Sequence, residues 1–368
     1  MEVVHVVCPS CSVGCGINLV KIQNQVVGTY PYKRHPINEG KICEKGKECY
    51  RDITNENRII LPSININAKM KHSNWEEALD LVVSKLNSYK KNEIGILTSG
   101  ELTNEELNTV KKFADNLGII QIGFFNWNIP TIEVETATME DVENSKFIII
   151  IGDVLKDNPL IGRRILRAHN NGAILVAVDK SENTFTGLNS DRYLKTESIT
   201  DFLEKIDDEI MSNLNESSMI IFNKLDKKQD FNSIKEISQK TKSKILPVQQ
   251  ECNSSGAMNI LHSLDEKGME ELINNVKLLY VIGSNPAPYF EDSLKKMDFL
   301  ITQNTHINET VLLSDVVLPS SMWAEKNGTY INTTGVPQEI STVVSSPENV
   351  LGNDIIIRKI AEKMGIEL

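Results

Sequence analysis

The sequence predicts an α/β protein, built as a small N-terminal cysteine domain followed by two doubly wound α/β domains, one inserted in the other. Three observations carry that reading. Short apolar runs such as Phe147–Ile151 and Leu278–Ile282 recur as strand-sized core segments, helix-length amphipathic stretches separate them, and four of the six cysteines lie within the first 43 residues. Strand and helix alternating in this way imply parallel sheets covered on both faces. A chain of 368 residues is long enough for two or three domains.

In the first 60 residues, Cys8, Cys11 and Cys15 have two and three residues between them, and Cys43 follows after 27 more. Strands over 17–22 and 26–29 form a hairpin that leaves the cysteine loop, and Gly40 brings the chain back, so the four thiolates converge on one metal site. A 4Fe-4S cube takes one thiolate per iron, which suits three ligands from a tight loop and a fourth from a remote segment. Structural zinc, the lesser alternative, prefers paired knuckles, and Cys43 and Cys49 with five residues between them fit that poorly. Ser10, Ser12, Gly14 and Gly16 are small enough to let backbone amides face the sulfurs. Residues 1–60 therefore read as an iron-sulfur domain. Cys49 and Cys252 have no evident mate, which argues against a disulfide scaffold and for a reducing compartment.

From residue 61 the pattern changes. Residues 62–73 read as a link, 75–86 as a helix, 94–97 as a buried strand ending at Ser99 and Gly100, and Asn104–Leu117 as a helix capped by Thr103. Residues 137–248 read as an inserted Rossmann-like unit. Its strands lie at Phe147–Ile151, 173–178, Ser218–Phe222 and 244–248, with helices over 159–169 and 233–241. Gly152 and Asp179 stand at carboxyl ends of strands, where open parallel sheets bind nucleotides. No GxGxxG follows, so a nicotinamide site is disfavoured. Strands at Leu278–Ile282, 299–303 and 316–318 and a helix over 354–364 return to the first unit, giving a core domain of 61–136 plus 249–368. Gly283 and Asn285 form either a phosphate cradle or an ordinary Asx-Pro turn. Nothing in the sequence brings Asp315 and Glu325 to a common substrate as a catalytic pair, and His169, His262 and His306 read as satisfied groups.

The net charge of −11 and the absence of a basic stripe exclude nucleic acid as a partner. Residues 1–60 hold eight Lys and Arg against six Asp and Glu, a mildly positive setting for an anionic cluster. No apolar run approaches the roughly 20 residues of a membrane helix. The N-terminus lacks a basic leader and a twin arginine, so a cytoplasmic protein is expected.

The four cysteines with Lys45 and Gly46, the stretch 74–79, the loop 283–287, Glu309 with Thr310, and the segments 315–319 and 328–332 together resemble the molybdopterin oxidoreductases. They are close to the formate dehydrogenase alpha subunit, and are also similar to the pterin-binding subunit of the formylmethanofuran dehydrogenases and the large iron-sulfur subunit of complex I. The resemblance implies a 4Fe-4S cluster. It also implies a molybdopterin guanine dinucleotide carrying Mo or W, with Lys45 between cube and pterin and Gly152, Asp179, Gly283 and Asn285 around the cofactor.

The chain departs from that pattern in four places. Residues 118–130 hold no thiol, serine, aspartate or histidine where relatives ligate the metal. Gly152 is followed by Asp153 and Val154 rather than a Gly-x-Asn-Pro loop, and Asp179 by Lys180 and Ser181 rather than Pro-Arg. The C-terminal pterin-binding barrel is absent from the sequence, which leaves room for a separate barrel subunit. The expectation is an iron-sulfur subunit without its own Mo or W site and with no catalytic residue. It would relay electrons through one cluster to iron-sulfur or flavin partners in a multi-subunit complex. The alternative is a catalytic subunit, formate dehydrogenase-like or formylmethanofuran dehydrogenase-like, whose pterin site a partner chain completes. Phe124, Phe125 and Trp127 either pack in the core or fill the vacated space, since an unfilled cavity destabilises at roughly 24 cal/mol per Å³.

Overall fold

The computed structural model describes residues 1–67, 69–126 and 135–368. Near the N-terminus, Glu2–Val7, Gly16–Ile22 and Gln25–Pro31 form an antiparallel sheet in that order. Cys8 to Cys15 is the turn joining its first two strands, closed by the Cys8 amide on the Cys15 carbonyl at 2.8 Å. Three of the four predicted ligands therefore sit on one hairpin loop. Ile17 and Leu19 beneath it are fully buried, and burial of such side chains stabilises by about 1.5–3 kcal/mol each.

Two larger sheets follow. Five strands, all parallel, run in the order Arg192–Lys195, Ile174–Asp179, Phe147–Ile151, Ser218–Phe222 and Lys244–Pro247. The other sheet places Ser263–Leu264, Gln121–Phe125, Ile94–Thr98, Leu278–Ile282, Phe299–Asn304 and Val316–Pro319 in parallel order. Its edge is closed by an antiparallel hairpin, Ser63–Ile66 with Lys69–His72. That hairpin corrects the reading of 62–73 as a plain link. Its outer strand is wholly exposed, so hydrophobic pattern gave little signal for it.

The helix Asn104–Leu117 begins at a capping box between Thr103 and Glu106 and ends at Gly118 in a left-handed conformation. Its buried face packs under the larger sheet with Ala78, Leu86, Tyr280 and Ile357. The smaller sheet shares one continuous core with the cysteine domain: Val6, Val13, Ile17 and Leu19 pack with Ile148, Ile150, Leu155 and Leu160. The cysteine loop is thereby set against the helix Pro159–Asn170 of the smaller sheet's unit.

A candidate iron-sulfur centre between two clefts

Cys8, Cys11, Cys15 and Cys43 line one enclosed cavity, completed by Val13, Ile17, Ile42, Gly46 and residues 158–160. Cys43 enters from the cap position of the helix Glu44–Glu48, and Asn38 fixes the approach to it. The Asn38 carboxamide accepts from the Gly16 amide at 2.8 Å and donates to the carbonyls of Gly16 and Lys41. The loop is clamped from outside as well. Ser12 Oγ donates to the Gln249 carbonyl at 2.7 Å, and Gln338 Nε2 to the Gly14 carbonyl at 2.9 Å. Gly14 has φ of +74°, and a Cβ there would lie 2.0 Å from Gln338 Oε1, so only glycine fits.

Burial pushes Cys11 up to about 12 and raises Cys15 well above the ordinary thiol range. A hydrogen bond from the Cys49 thiol brings Cys8 down to about 7, against the opposing push of burial. Four sulfurs in one apolar cavity are a donor set that suits an iron-sulfur cube, because bound metal removes the cost of burying thiolates without partners. Cys49, without a mate in the sequence, is buried beside the set, its Sγ 3.2 Å from the Gly46 carbonyl oxygen.

Two clefts flank the cavity, each at the carboxyl ends of one parallel sheet. The larger, about 1230 Å³, is bordered by Cys11, Lys45, Asp153, Asp179, Asn223 and Glu251 among others. The smaller, about 340 Å³, is bordered by Ser10, Lys45, Cys252, Gly283, His306 and Ser321 among others. Lys45 borders both, with Nζ donating to the Asp157 carbonyl at 3.0 Å. In the smaller cleft the hydroxyls of Ser320 and Ser321 and the Trp323 indole N–H are buried without a protein partner among the described residues.

The predicted site residues divide. Asp179 lines the larger cleft and accepts from the Ser181 amide at 2.8 Å. Gly152, at φ +93°, sits under Asn223, where a Cβ would come within 2.1 Å of Asn223 Oδ1. Gly283 lines the smaller cleft. Asn285 borders neither: its carboxamide accepts from the Thr310 amide and hydroxyl and donates to Glu309 at 2.8 Å. Glu325 pairs with Arg58 at 2.6 Å, and Asp315 accepts from the Leu300 amide. His306 borders the smaller cleft, while His169 meets Asp191 at 3.2 Å.

Sequence reasoning missed two acids held in the loops after strands, one on a single backbone amide and one on a pair. Glu251 accepts from the Gly100 amide at 2.6 Å and from Ser99 Oγ at 3.2 Å. Asp153 accepts from the amides of Phe185 and Thr186 and from the Thr186 hydroxyl. Backbone amides at strand ends commonly hold phosphate. The larger cleft carries the carboxylates of Asp153, Asp157, Asp179 and Glu182 and the carboxyl of Glu251, against three lysines, Lys45, Lys156 and Lys224. Its volume fits a large cofactor. Its charge and its occupied amides do not fit a pyrophosphate.

Of the two expectations for the aromatic side chains, core packing is the one met among the described residues. Phe124 is fully buried in the core under the larger sheet, and Phe125 packs edge-on against Phe290 at 5.7 Å. Trp127 lies outside the described residues, as does the rest of 127–130.

The fold and the cysteine site define an iron-sulfur member of the molybdopterin oxidoreductases, and the chain belongs to that family. The Molybdopterin oxidoreductase family matches residues 29–363, and the Molybdopterin oxidoreductase Fe4S4 domain matches residues 1–55. The family supports a 4Fe-4S cluster and allows a pterin with Mo or W. Among its relatives is the F420-dependent formate dehydrogenase subunit alpha of Methanocaldococcus jannaschii, 29% identical over 99% of this chain and 70% of that protein. Another is a subunit of the NADH-quinone oxidoreductase of Rickettsia typhi, 25% identical over 96% of this chain and 54% of that protein. In fold the chain is similar to acetylene hydratase from Pelobacter acetylenicus, with a TM-score of 0.69 at 17% identity over 99% of this chain and 69% of that one. No helix among the described residues is long and apolar enough to cross a membrane.

Proposed function

We propose that this chain relays electrons through one 4Fe-4S cluster, held by Cys8, Cys11, Cys15 and Cys43, inside a multi-subunit redox complex, without a Mo or W site of its own. The observation that carries this reading is the Asp153 carboxylate seated on the adjacent amides of Phe185 and Thr186 beside the larger cleft. An anionic dinucleotide entering the larger cleft would meet carboxylates where it needs amides. The described part of the segment after Asn104–Leu117 also offers no thiol or carboxylate to a metal. Likeness to a subunit of an NADH-quinone oxidoreductase supports a relay. Likeness to the F420-dependent formate dehydrogenase alpha subunit supports a place beside other subunits in formate or F420 metabolism. The domain division into 1–60, 61–136 plus 249–368, and 137–248 is supported by strand membership, since each large sheet draws its strands from one of the last two sets.

The second reading, a catalytic subunit completed by a partner chain, is favoured by one observation: the larger cleft is open and borders Cys11. The two readings separate on electron traffic. In the native complex, Cys43→Ser should abolish electron passage between the partner subunits while the subunits remain associated. Unchanged passage in that variant would contradict the relay.

A further inference from the structure

Two side chains, Cys11 and Asn158, border both the cysteine cavity and the larger cleft. Asn158 is 5% exposed and stands immediately before the helix Pro159–Asn170, yet its side chain caps nothing. Its Oδ1 accepts from Asn223 Nδ2 at 3.3 Å, and the same Nδ2 reaches Asp157 Oδ2 at 3.1 Å. Among the described residues Asn158 Nδ2 donates to no protein acceptor. Asn223 is 8% exposed and lines the larger cleft, and its buried Oδ1, over Gly152, has no partner among the described residues. The open donor thus lies on the residue that borders the cavity, and the carboxamide that holds it lies on a residue that borders the cleft. A donor left open beside four sulfurs is one a bound cluster can take up.

We propose that Asn158 and Asn223 are positioning residues that couple the cluster to the cleft: Asn223 holds the Asn158 carbonyl, which leaves the Asn158 N–H₂ as a hydrogen-bond donor toward the cluster. Donors to the sulfurs of a cluster stabilise its reduced, more negative state and raise its potential. Asn223 Nδ2 is shared between Asp157 Oδ2 and Asn158 Oδ1, and Asp157 and Asn223 both line the cleft, so an occupant that engages Asp157 bears on Asn223 and through it on Asn158. This inference rests on the cluster reading above and adds to it a specific route by which the cleft reaches the potential.

The test is a redox titration of the anaerobically purified protein followed by EPR, with iron content measured on every sample. Asn158→Leu and Asn223→Leu should each hold the cluster. Each should lower the reduced-to-oxidised ratio at fixed ambient potential about tenfold, or about 59 mV for one electron. The double variant should shift no further than Asn158→Leu alone. If leucine at 158 prevents folding, Asn158→Asp keeps the shape, replaces the donor by an oxygen and should lower the potential at least as far. An unmoved potential in cluster-loaded Asn158→Asp or Asn158→Leu overturns the proposal. A shift in the 158 variants with none in Asn223→Leu overturns the coupling. Wild-type protein without iron would instead overturn the cluster reading itself, a failure the iron assay distinguishes from the other two.

Discussion

Glu251 lays its carboxylate on the Gly100 amide at 2.6 Å, so an acid of this chain occupies the turn at the carboxyl end of a central strand. Burial pushes Glu251 up to about 8, and the neighbouring Glu101 carboxylate adds to the rise. A carboxyl raised on folding binds protons that the unfolded chain has released. Its stabilising contribution is full below the ordinary value of 4.5 and is lost as pH rises through about 8. Urea midpoints should therefore fall between about pH 5 and about pH 8.5, and Glu251→Gln should flatten that decline. An equally steep decline in the variant would show that Glu251 does not carry it.

Arg58 and Glu325 form the most enclosed ion pair that ties residues 1–60 to the larger sheet. Their side chains are 9% and 4% exposed, and Arg58 also donates to the carbonyls of Thr305 and Ser320. Replacing one partner leaves a charge buried alone, which typically destabilises by about 3–5 kcal/mol. Glu325→Gln should lose a stability of that order in chemical denaturation. A loss below about 1 kcal/mol, the range of surface pairs, would show that the pair is effectively solvated.

The six cysteines should separate by iron content. Serine at 8, 11, 15 or 43 should leave well under the roughly four irons of one cube, while Cys252→Ser and Cys49→Ser keep them. Because Cys49 touches Cys8, its variant should retain the iron but change the visible spectrum. Loss of all iron in Cys49→Ser would make Cys49 a ligand and one of the predicted four a bystander.

Much of this was legible in the sequence, for identifiable reasons. The strands at Phe147–Ile151, Ser218–Phe222 and Leu278–Ile282 are buried along their whole length, so unbroken apolar runs marked them. Asn104–Leu117 announced itself by Thr103, a capping residue at the head of a helix-length run. The hairpin Ser63–Ile66 with Lys69–His72 did not, since an exposed edge pair has no core face to imprint a pattern. The cysteines could be placed together from spacing alone. The anchorage of Asp153 and Glu251 could not, because each joins residues 32 or more apart through backbone amides that no residue type betrays. Asn285 shows the converse. Its local turn suggested a ligand cradle, and its partners Thr310 and Glu309, from a distant segment, take up the carboxamide.

Lys45 borders both clefts and stands two residues beyond Cys43, so its charge should bear on the cluster. Lys45→Met should lower the cluster's potential and Lys45→Arg should largely preserve it, since only the first removes the cation. Equal potentials in all three proteins would reduce Lys45 to its hydrogen bond with the Asp157 carbonyl.

The central claim is that this chain carries a cluster and no Mo or W site of its own. Metal and pterin analysis of the native complex, purified anaerobically by a tag on this chain, tests it with any partner subunit still in place. The account predicts about four irons attributable to this chain, with no stoichiometric molybdenum or tungsten and no extractable pterin. Stoichiometric molybdenum or tungsten together with pterin would contradict it and make this a catalytic subunit.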